Sequence, residues 1–471
     1  MLKKIVKTLI FFLPFILGTI GFHIIEGAPL NDALFFSIGF YTLNNTDPAS
    51  NIFIELARWT APLATASGLI MAVTALKQRL KDFFAYLGGE SIAVYGSQED
   101  ISVILGQLGR RGIRIKDEER LPKAERYILM GQEEENFKLY QKFENLLAGK
   151  QVYLRCRSMN GRASGASMNL FFEEEIAARI FWKKQSLYDE TGRKNFRLNI
   201  VFPEFGILEE QLLLWGLQNN IFHPKQKIAY HVFGESGKFQ AIYHELSQME
   251  DPVIFHAGQW YDSLGLLERA DRIIVSDTKE LLGDLLFAIP EKCIDVLAES
   301  REAVLHYESR ERLRLFFWRQ EAEKLSNILE EKTLDRAKSI NLRYAHLYSG
   351  VEETKENKEE EWGKLNTFTK YSNISSADYH EVRLLMIEEW KQKTGKSEPD
   401  EAYLLKLAEL EHIRWNRYHY LNNWKYGVPQ NEKNKDTVKR VHKDLVPFTE
   451  LTREEQEKDA ENIRVLLSVT D

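Results

Sequence analysis

Two uncharged stretches of 18 residues, Thr8–Ile25 and Trp59–Leu76, constrain this chain more than any other feature. At ~1.5 Å of rise per residue, each covers ~27 Å as a helix, close to the ~30 Å hydrocarbon core of a bilayer. Residues 77–471 read as water-soluble. A small membrane piece that carries a large soluble piece suggests a gate and its sensor.

Charge sets the expected orientation. Lys3, Lys4 and Lys7 precede the first stretch, Lys77, Arg79 and Lys81 follow the second, and residues 26–57 hold no Lys or Arg. The positive-inside rule then places both termini in the cytoplasm of a bacterial inner membrane with two spans. The first stretch also has the outline of a signal peptide, with a small-residue end near Gly27-Ala28, but a second span so soon afterwards favours a retained hairpin. The net charge of −7 argues against a nucleic-acid partner. Cys156 and Cys293 stand far apart, and the 11 histidines show no ligand spacing, so neither a disulfide framework nor a metal is expected.

Between the stretches lies an apolar run too short to span, Asn31–Tyr41, followed by Thr42-Leu43-Asn44-Asn45-Thr46-Asp47. Irregular backbone at membrane depth survives only when buried in protein or lining water, so this segment suggests a re-entrant pore loop. It resembles the two-helix potassium channel family, whose filter reads T-V-G-Y-G-D. Thr42, aliphatic Leu43 and Asp47 match; both glycines and the tyrosine are replaced. The resemblance implies a pore closed by several subunits, as a homotetramer, while side-chain oxygens of Asn44, Asn45 and Thr46 would make it wider and less selective. Ala64, Gly68 and Ala72 recur every four residues, a ridge for close helix packing, and Gly68 is the expected gate hinge.

The soluble part alternates strands and helices. Expected strands are Ser91–Gly96, Ile113–Lys116, Tyr127–Met130 and Val152–Arg155, then Leu198–Phe202, Ile228–Phe233, Pro252–His256, Arg272–Ser276 and Ile294–Leu297. Helices are expected over 99–109, 133–147, Ile176–Lys183, 207–219 and Lys238–Met249. The pattern predicts parallel sheets in two Rossmann-like units. In order and pattern they resemble potassium-conductance regulator (TrkA-N-type) domains. Gly96 and Asp117 stand where a dinucleotide-binding glycine and a ribose-binding acid would be, but the second and third fingerprint glycines are missing. Residues 300–345 read as helical and charged, and Glu352–Glu361, with six Glu and two Lys, as a solvated linker or exposed helix.

The C-terminal residues carry Glu411-His412-Ile413-Arg414-Trp415 on a helix expected over Leu404–Leu421. Asn423-Trp424-Lys425-Tyr426-Gly427 follows, then His442-Lys443-Asp444-Leu445-Val446-Pro447 and Leu451-Thr452-Arg453-Glu454-Glu455. This series resembles the RyR domain, with Asn423 in place of the usual Gly. The resemblance implies binding of an adenine nucleotide or a nucleotide-derived signal. From the residues alone, His412 and Trp415 share a helix face, and Trp415, Trp424 and Tyr426 suggest a slot for a flat ring or a cation. Arg414, Arg417 and Lys425 are the expected phosphate partners, and arginine suits bidentate contact better.

The expected organisation is a transmembrane pore hairpin at 1–80, Rossmann-like units at 81–190 and 191–345, a charged linker at 346–374 and a mainly α-helical, RyR-like ligand-binding domain at 375–471. The expected function is a ligand-gated ion channel subunit and not an enzyme, since no nucleophile–base pair, metal set or P-loop is visible. The RyR-like resemblance adds a role as an antiphage effector. A housekeeping potassium channel and a pore-free membrane-anchored sensor are the alternatives.

Overall fold

A computed structural model describes residues 2–44, 49–116, 118–157, 168–307, 310–430 and 434–468. The chain divides into two compact units, Met1–Ser91 and Ile92–Asp471.

In the first unit, α1 (Leu2–Ile20) runs into one π-helical turn, Gly21–Ile25. Then α2 (Leu30–Gly39) ends in a 3-10 turn, Phe40–Thr42, and α3 spans Ile52–Leu87. Phe22, Ala33, Phe40, Ile54, Ala57 and Ala61 form the core of this unit, in which α2 packs on α1 and the turn after α2 meets α3. Two glycines permit the approach: a Cβ at Gly18 would lie 2.8 Å from Ser37 Oγ, and one at Gly21 2.6 Å from Ile54 Cγ1. Asn51 caps α3 through Phe53 N and Ile54 N, and its amide donates to Gly21 O at 3.2 Å and Glu26 Oε1 at 2.8 Å.

Tyr41 joins all three helices. Its hydroxyl donates to Phe11 O at 2.6 Å and accepts from Phe15 N at 3.3 Å, while Thr65 Oγ1 donates to Tyr41 O. The hydroxyl thus sits inside the main-chain ladder of α1 beside Pro14, where a helix is already weakened.

Among the described residues, α3 is the one helix long and apolar enough to cross a membrane; the apolar part of the first helix, Phe11–Ile25, is shorter. By length and composition among the described residues, two spans are not established. Large apolar side chains stay exposed, among them Phe35, Trp59, Leu63, Leu69 and Ile70. Helix α3 passes unbroken through Gly68. Of the small residues, Ala57 and Ala61 are buried, Ala64 and Gly68 half-buried, and Ala72 exposed.

The second unit is mixed α/β. Its first sheet arises from β1 (Ile92–Tyr95), α4 (Gln98–Leu108), β2 (Gly112–Arg114), β3 (Arg126–Leu129), α5 (Glu133–Lys142), α6 (Glu144–Leu147), β4 (Gln151–Arg155) and β5 (Met168–Phe171). All pairings are parallel, in the order β2-β1-β3-β4-β5. Helices α7 (Glu173–Lys184) and α8 (Tyr188–Arg193) lead to the second sheet. It contains β6 (Arg197–Phe202), α9 (Ile207–Asn219), β7 (Lys227–Val232), α10 (Gly237–Ile242), β8 (Val253–Phe255), α11 (Leu264–Arg269), β9 (Arg272–Val275), α12 (Leu281–Ala288), β10 (Ile294–Ala298) and β11 (Leu313–Phe317). Its order, β11-β10-β9-β6-β7-β8, is also parallel throughout. Counted from β6, this is the strand order of a doubly wound dinucleotide fold. The buried strands read as near-continuous Val, Ile, Leu and Phe because helices cover both faces.

Two expectations are corrected. Leu313–Phe317 is an edge strand on β10, not helix, because its Leu-Arg-Leu-Phe-Phe run pairs with Ile294–Ala298. The helix expected over Lys238–Met249 stops at Ile242, and β5 was not legible. Of the two readings of the acidic run, the helix is found: after α13 (Trp318–Ala322), α14 (Leu325–Leu329) and α15 (Glu331–Ser349), it forms α16 (Lys355–Lys364). There Trp362 is buried, and Lys358 pairs with Asp335 of α15 at 2.5 Å.

Helix α17 (Thr367–Thr394) crosses the expected boundary at 374/375. It is followed by α18 (Glu401–Leu421), a small sheet of β12 (Lys425–Tyr426), β13 (Lys435–Asp436) and β14 (Val441–His442), and α19 (Arg453–Ser468). Buried charge fastens this module to the sheets. Asp378, fully buried on α17, pairs with Arg179 at 2.7 Å and Lys183 at 2.6 Å on α7, and accepts from Asn219 of α9 at 2.9 Å. Asp378→Ala is expected to cost on the order of 3–5 kcal/mol, because it removes the buried partner of Lys183 and leaves Arg179 one acid fewer in the interior. Denaturant unfolding of the full chain in detergent measures this, and a loss below ~1 kcal/mol would contradict the proposed role of the pair.

Candidate ligand-binding cleft

The expected ligand residues lie on α18 and the turn after it. Along one side of that helix the rings form a chain: His412 to Trp415 at 5.6 Å, Trp415 to His419 at 4.0 Å, His419 to Trp424 at 5.4 Å, and Trp424 to Phe368 at 5.2 Å. Most of this chain is the module's own core. Both ring nitrogens of His412 face acceptors, Asp459 Oδ2 at 3.1 Å and Val446 O at 2.8 Å. An imidazole between two acceptors holds both protons, and its pKa is raised: burial opposes the charge, but the Asp459 carboxylate and the Val446 carbonyl outweigh it.

Trp415 is half-buried among His412, His419 and His442. Tyr426 is 58% exposed on β12. Arg417, expected to meet phosphate, is instead buried. Its guanidinium pairs with Asp251 at 2.9 Å and Glu250 at 3.3 Å and donates to Leu217 O. Arg414, the neighbouring cation, is likewise spent on Glu411. Of the expected ligand residues, Trp424 stands on a cavity wall.

That wall belongs to a cleft of about 690 Å³. One side is α9, through Leu214, Trp215 and Gln218; another is the end of α18 with Asn422, Asn423 and Trp424. Asn423 has φ +57, the left-handed region that asparagine tolerates better than most residues, and its amide donates to Ile242 O at 2.7 Å. The first turn of α17 opens on the same space through Asn366, Thr367, Phe368 and Thr369. Asn366 caps it by accepting from Thr369 N. Helix N-termini favour anions.

Three cations complete the lining: Arg157 after β4, and Lys435 and Arg440 from the small sheet. Arg440 is steadied by a bond to Asn422 O at 3.1 Å. Glu175 is the acid among the lining residues; burial raises its pKa to about 8, so it adds little negative charge at neutral pH. Three cations, a helix N-terminus and the stacked pair Phe368–Trp424 suit a flat ring bearing phosphate. Sequence reasoning missed every lining residue but Trp424. The Asn366-Thr367 start of α17 was the one readable signal, as an N-cap.

The expected dinucleotide positions are filled by the protein's own acids. Gly96 has φ +153, and a Cβ there would lie 2.9 Å from Ile101 Cγ2 and 3.2 Å from the Met130 main chain, so the position requires glycine. At the N-terminus of α4, Ser97 Oγ donates to Asp100, which pairs with Arg155 at 3.4 Å. Asp117 lies outside the described residues. At the second sheet's β6–β9 crevice, Glu204 Oε1 accepts from Ser276 N and Asp277 N at 2.8 and 2.6 Å. Among the described residues no cluster of His, Cys, Asp or Glu is arranged to hold a metal ion.

In the expected filter, Thr42 Oγ1 donates to Gly39 O at 3.1 Å, and Leu43 takes φ +58 with its side chain exposed. Asn44 N donates to Gly39 O. A leucine held in this left-handed region is strained by about 1–3 kcal/mol. Asn45, Thr46 and Asp47 lie outside the described residues.

Comparison with protein-family models, curated proteins and solved structures finds no match.

The His412 geometry has a pH signature. Its folded-state pKa is raised, so its stabilisation is complete below the ordinary value of 6.5 and is lost as pH climbs through the raised value. Melting temperature should fall over that window, and the fall should flatten in Asp459→Asn; a wild-type profile without the fall would contradict a doubly protonated His412.

Proposed function

We propose that this chain is a subunit of a ligand-gated ion channel in a bacterial inner membrane, opened by a nucleotide or nucleotide-derived signal. The observation that carries this reading is the arrangement of the first unit. A helix too short to span packs on the first long helix, the turn that follows it meets the second, and the periphery exposes large apolar side chains. Exposed apolar surface on this scale suits lipid or a neighbouring subunit. Three helices from one chain cannot enclose a pore, so the functional form is an oligomer, a homotetramer by resemblance to two-helix channels.

The ligand's place in this reading is the cationic cleft of the second unit, within a RyR-like module and two Rossmann-like units. Its walls come from both sheets' flanking elements and from α17 and α18. A ligand that binds one arrangement of these walls more tightly shifts the population toward it, by no more than its difference in affinity. Helix α3 runs to Leu87, and the chain enters β1 at Ile92, so a change of packing has a covalent route to the helix. The short link includes Gly89 and Glu90 at positive φ.

Full-length protein in planar bilayers tests this. ADP, ATP and cyclic dinucleotides on the cytoplasmic side should evoke conductance in at least one case; ligand binding without conductance would leave a pore-free sensor. Arg157→Glu with Arg440→Glu should weaken nucleotide binding about tenfold or more, because each arginine offers a charge-assisted hydrogen bond. Thermal stabilisation of the full chain by the same nucleotides reads this, and unchanged binding would remove the cleft from the mechanism.

A further inference from the structure

Helix α3 is 36 residues long and apolar enough to cross a bilayer. At ~1.5 Å per residue it measures ~54 Å against a hydrocarbon core of ~30 Å, so roughly 24 Å of it stands outside that core. The charges say which end this is. No Asp, Glu, Lys or Arg falls between Trp59 and Leu76, and Lys77, Arg79, Lys81 and Asp82 follow. The helix is unbroken from Ile52 to Leu87, and its one proline, Pro62, lies inside the uncharged stretch. Sharp bends in helices need a local cause such as proline. A straight helix carries residues 77–87 out into water and does not lay them on lipid headgroups.

The emerging segment is not polar all round. Leu69, Val73, Leu76, Leu80, Phe83 and Leu87 follow one another at spacings of four, three, four, three and four residues. All six are exposed, by 47% to 64%. Within the bilayer this period says little, since every face there is apolar. Beyond Leu76 it is selective, because Lys77, Gln78, Arg79, Lys81 and Asp82 fill the positions off the stripe. Gln78 Nε2 donates to Asp82 Oδ1 at 2.7 Å on the opposite side of the helix. A stripe that repeats every ~3.5 residues drifts around a straight α-helix and stays in line only when helices supercoil around one another. Its complement is therefore a helix with the same repeat.

We propose that residues 69–87 of α3 are a self-association surface, which packs against the same stripe on a second copy of this chain as a parallel coiled coil leaving the membrane. A shared bilayer sets the second copy's α3 parallel and at equal depth, so the two stripes meet in register. The flanking residues fit that register. Arg79 falls beside the second copy's Phe84, and Ala72 beside its Lys77, so no like charges are opposed across the seam, and a cation over an aromatic face is attractive. The inference rests on α3 spanning the bilayer, which is part of the reading above, and not on conduction.

Cysteine scanning of the full-length protein in membranes tests it. Cys293, the exposed native thiol, is first removed as Cys293→Ser, while Cys156 is buried. Leu80→Cys, Phe83→Cys and Leu87→Cys then lie on the stripe, and Gln78→Cys, Lys81→Cys and Asp82→Cys lie off it. A disulfide needs Cα atoms within about 7 Å, so mild oxidation should give crosslinked dimer at the stripe positions about fivefold or more above the others. That yield should hold when the protein is diluted with excess lipid. Equal yields at all six positions, yields that fall with dilution, or no dimer at any position would overturn the inference. Stripe-specific crosslinks without nucleotide-evoked conductance would keep this surface and remove the channel, and conductance without such crosslinks would do the reverse.

Discussion

The second unit depends on a charge placed where charge is expensive. Asp378 has no exposed surface, and its pKa is held well below the usual carboxylate range. Burial pushes it up, and Arg179 and Lys183 more than reverse that. Because the acid can be satisfied only by those partners, α17 has one depth and one rotation against α7 and α9. A second knot repeats the logic: Glu411 of α18 is shared by Arg414 and by Arg383 of α17, all fully buried. A third ties α18 to the second sheet, through Arg417 and Asp251. Such pairs are weak sources of net stability, but removing one partner strands the other, so they penalise alternative packings strongly.

The cleft follows from this fastening. With α17 fixed by Asp378, its first turn faces the space beside α9, and the stacked Phe368–Trp424 pair is set at the edge. The ring chain from His412 to Trp424 is then a rigid support for that edge. This explains why residues that look like a ligand slot in the sequence are mostly internal. Their polar atoms have partners within the fold, and His412 is the clearest case, with both nitrogens engaged. The protein as a whole is acidic, yet Arg157, Lys435 and Arg440 converge on one cavity. Local field, not net charge, governs what a cavity attracts.

Much of the secondary structure was legible in the sequence. The expected helix at 207–219 matches α9, and the expected strands of both sheets lie within a residue or two of those found. Those segments are runs of Val, Ile and Leu bounded by turns, so period and composition agree. The misses share a cause. Met168–Phe171 and Leu313–Phe317 are short, and each becomes a strand only because a neighbouring edge supplies its hydrogen bonds. The acidic stretch Glu352–Glu361 reads as solvated because its polar residues dominate, whereas Trp362 beside it is buried and Lys358 and Glu359 pair with α15. In the first unit, the Tyr41 hydroxyl that bonds to α1 beside Pro14 lies 30 residues away from Phe11, beyond the reach of any local pattern.

The sequence by itself determined the large apolar stretches, the alternation that builds two parallel sheets and the aromatic series of the last module. These are local periodicities, and hydrophobic burial acts on them wherever the chain goes. The tertiary structure alone decided which polar residues are spent and which are free. Arg417 and His412 look available in the sequence and are consumed by Asp251, Asp459 and Val446. Arg157, Glu175 and Arg440 carry no motif and meet in one cleft. A hydrogen bond or an ion pair is satisfied by geometry across hundreds of residues, and no local pattern encodes whether its partner will arrive.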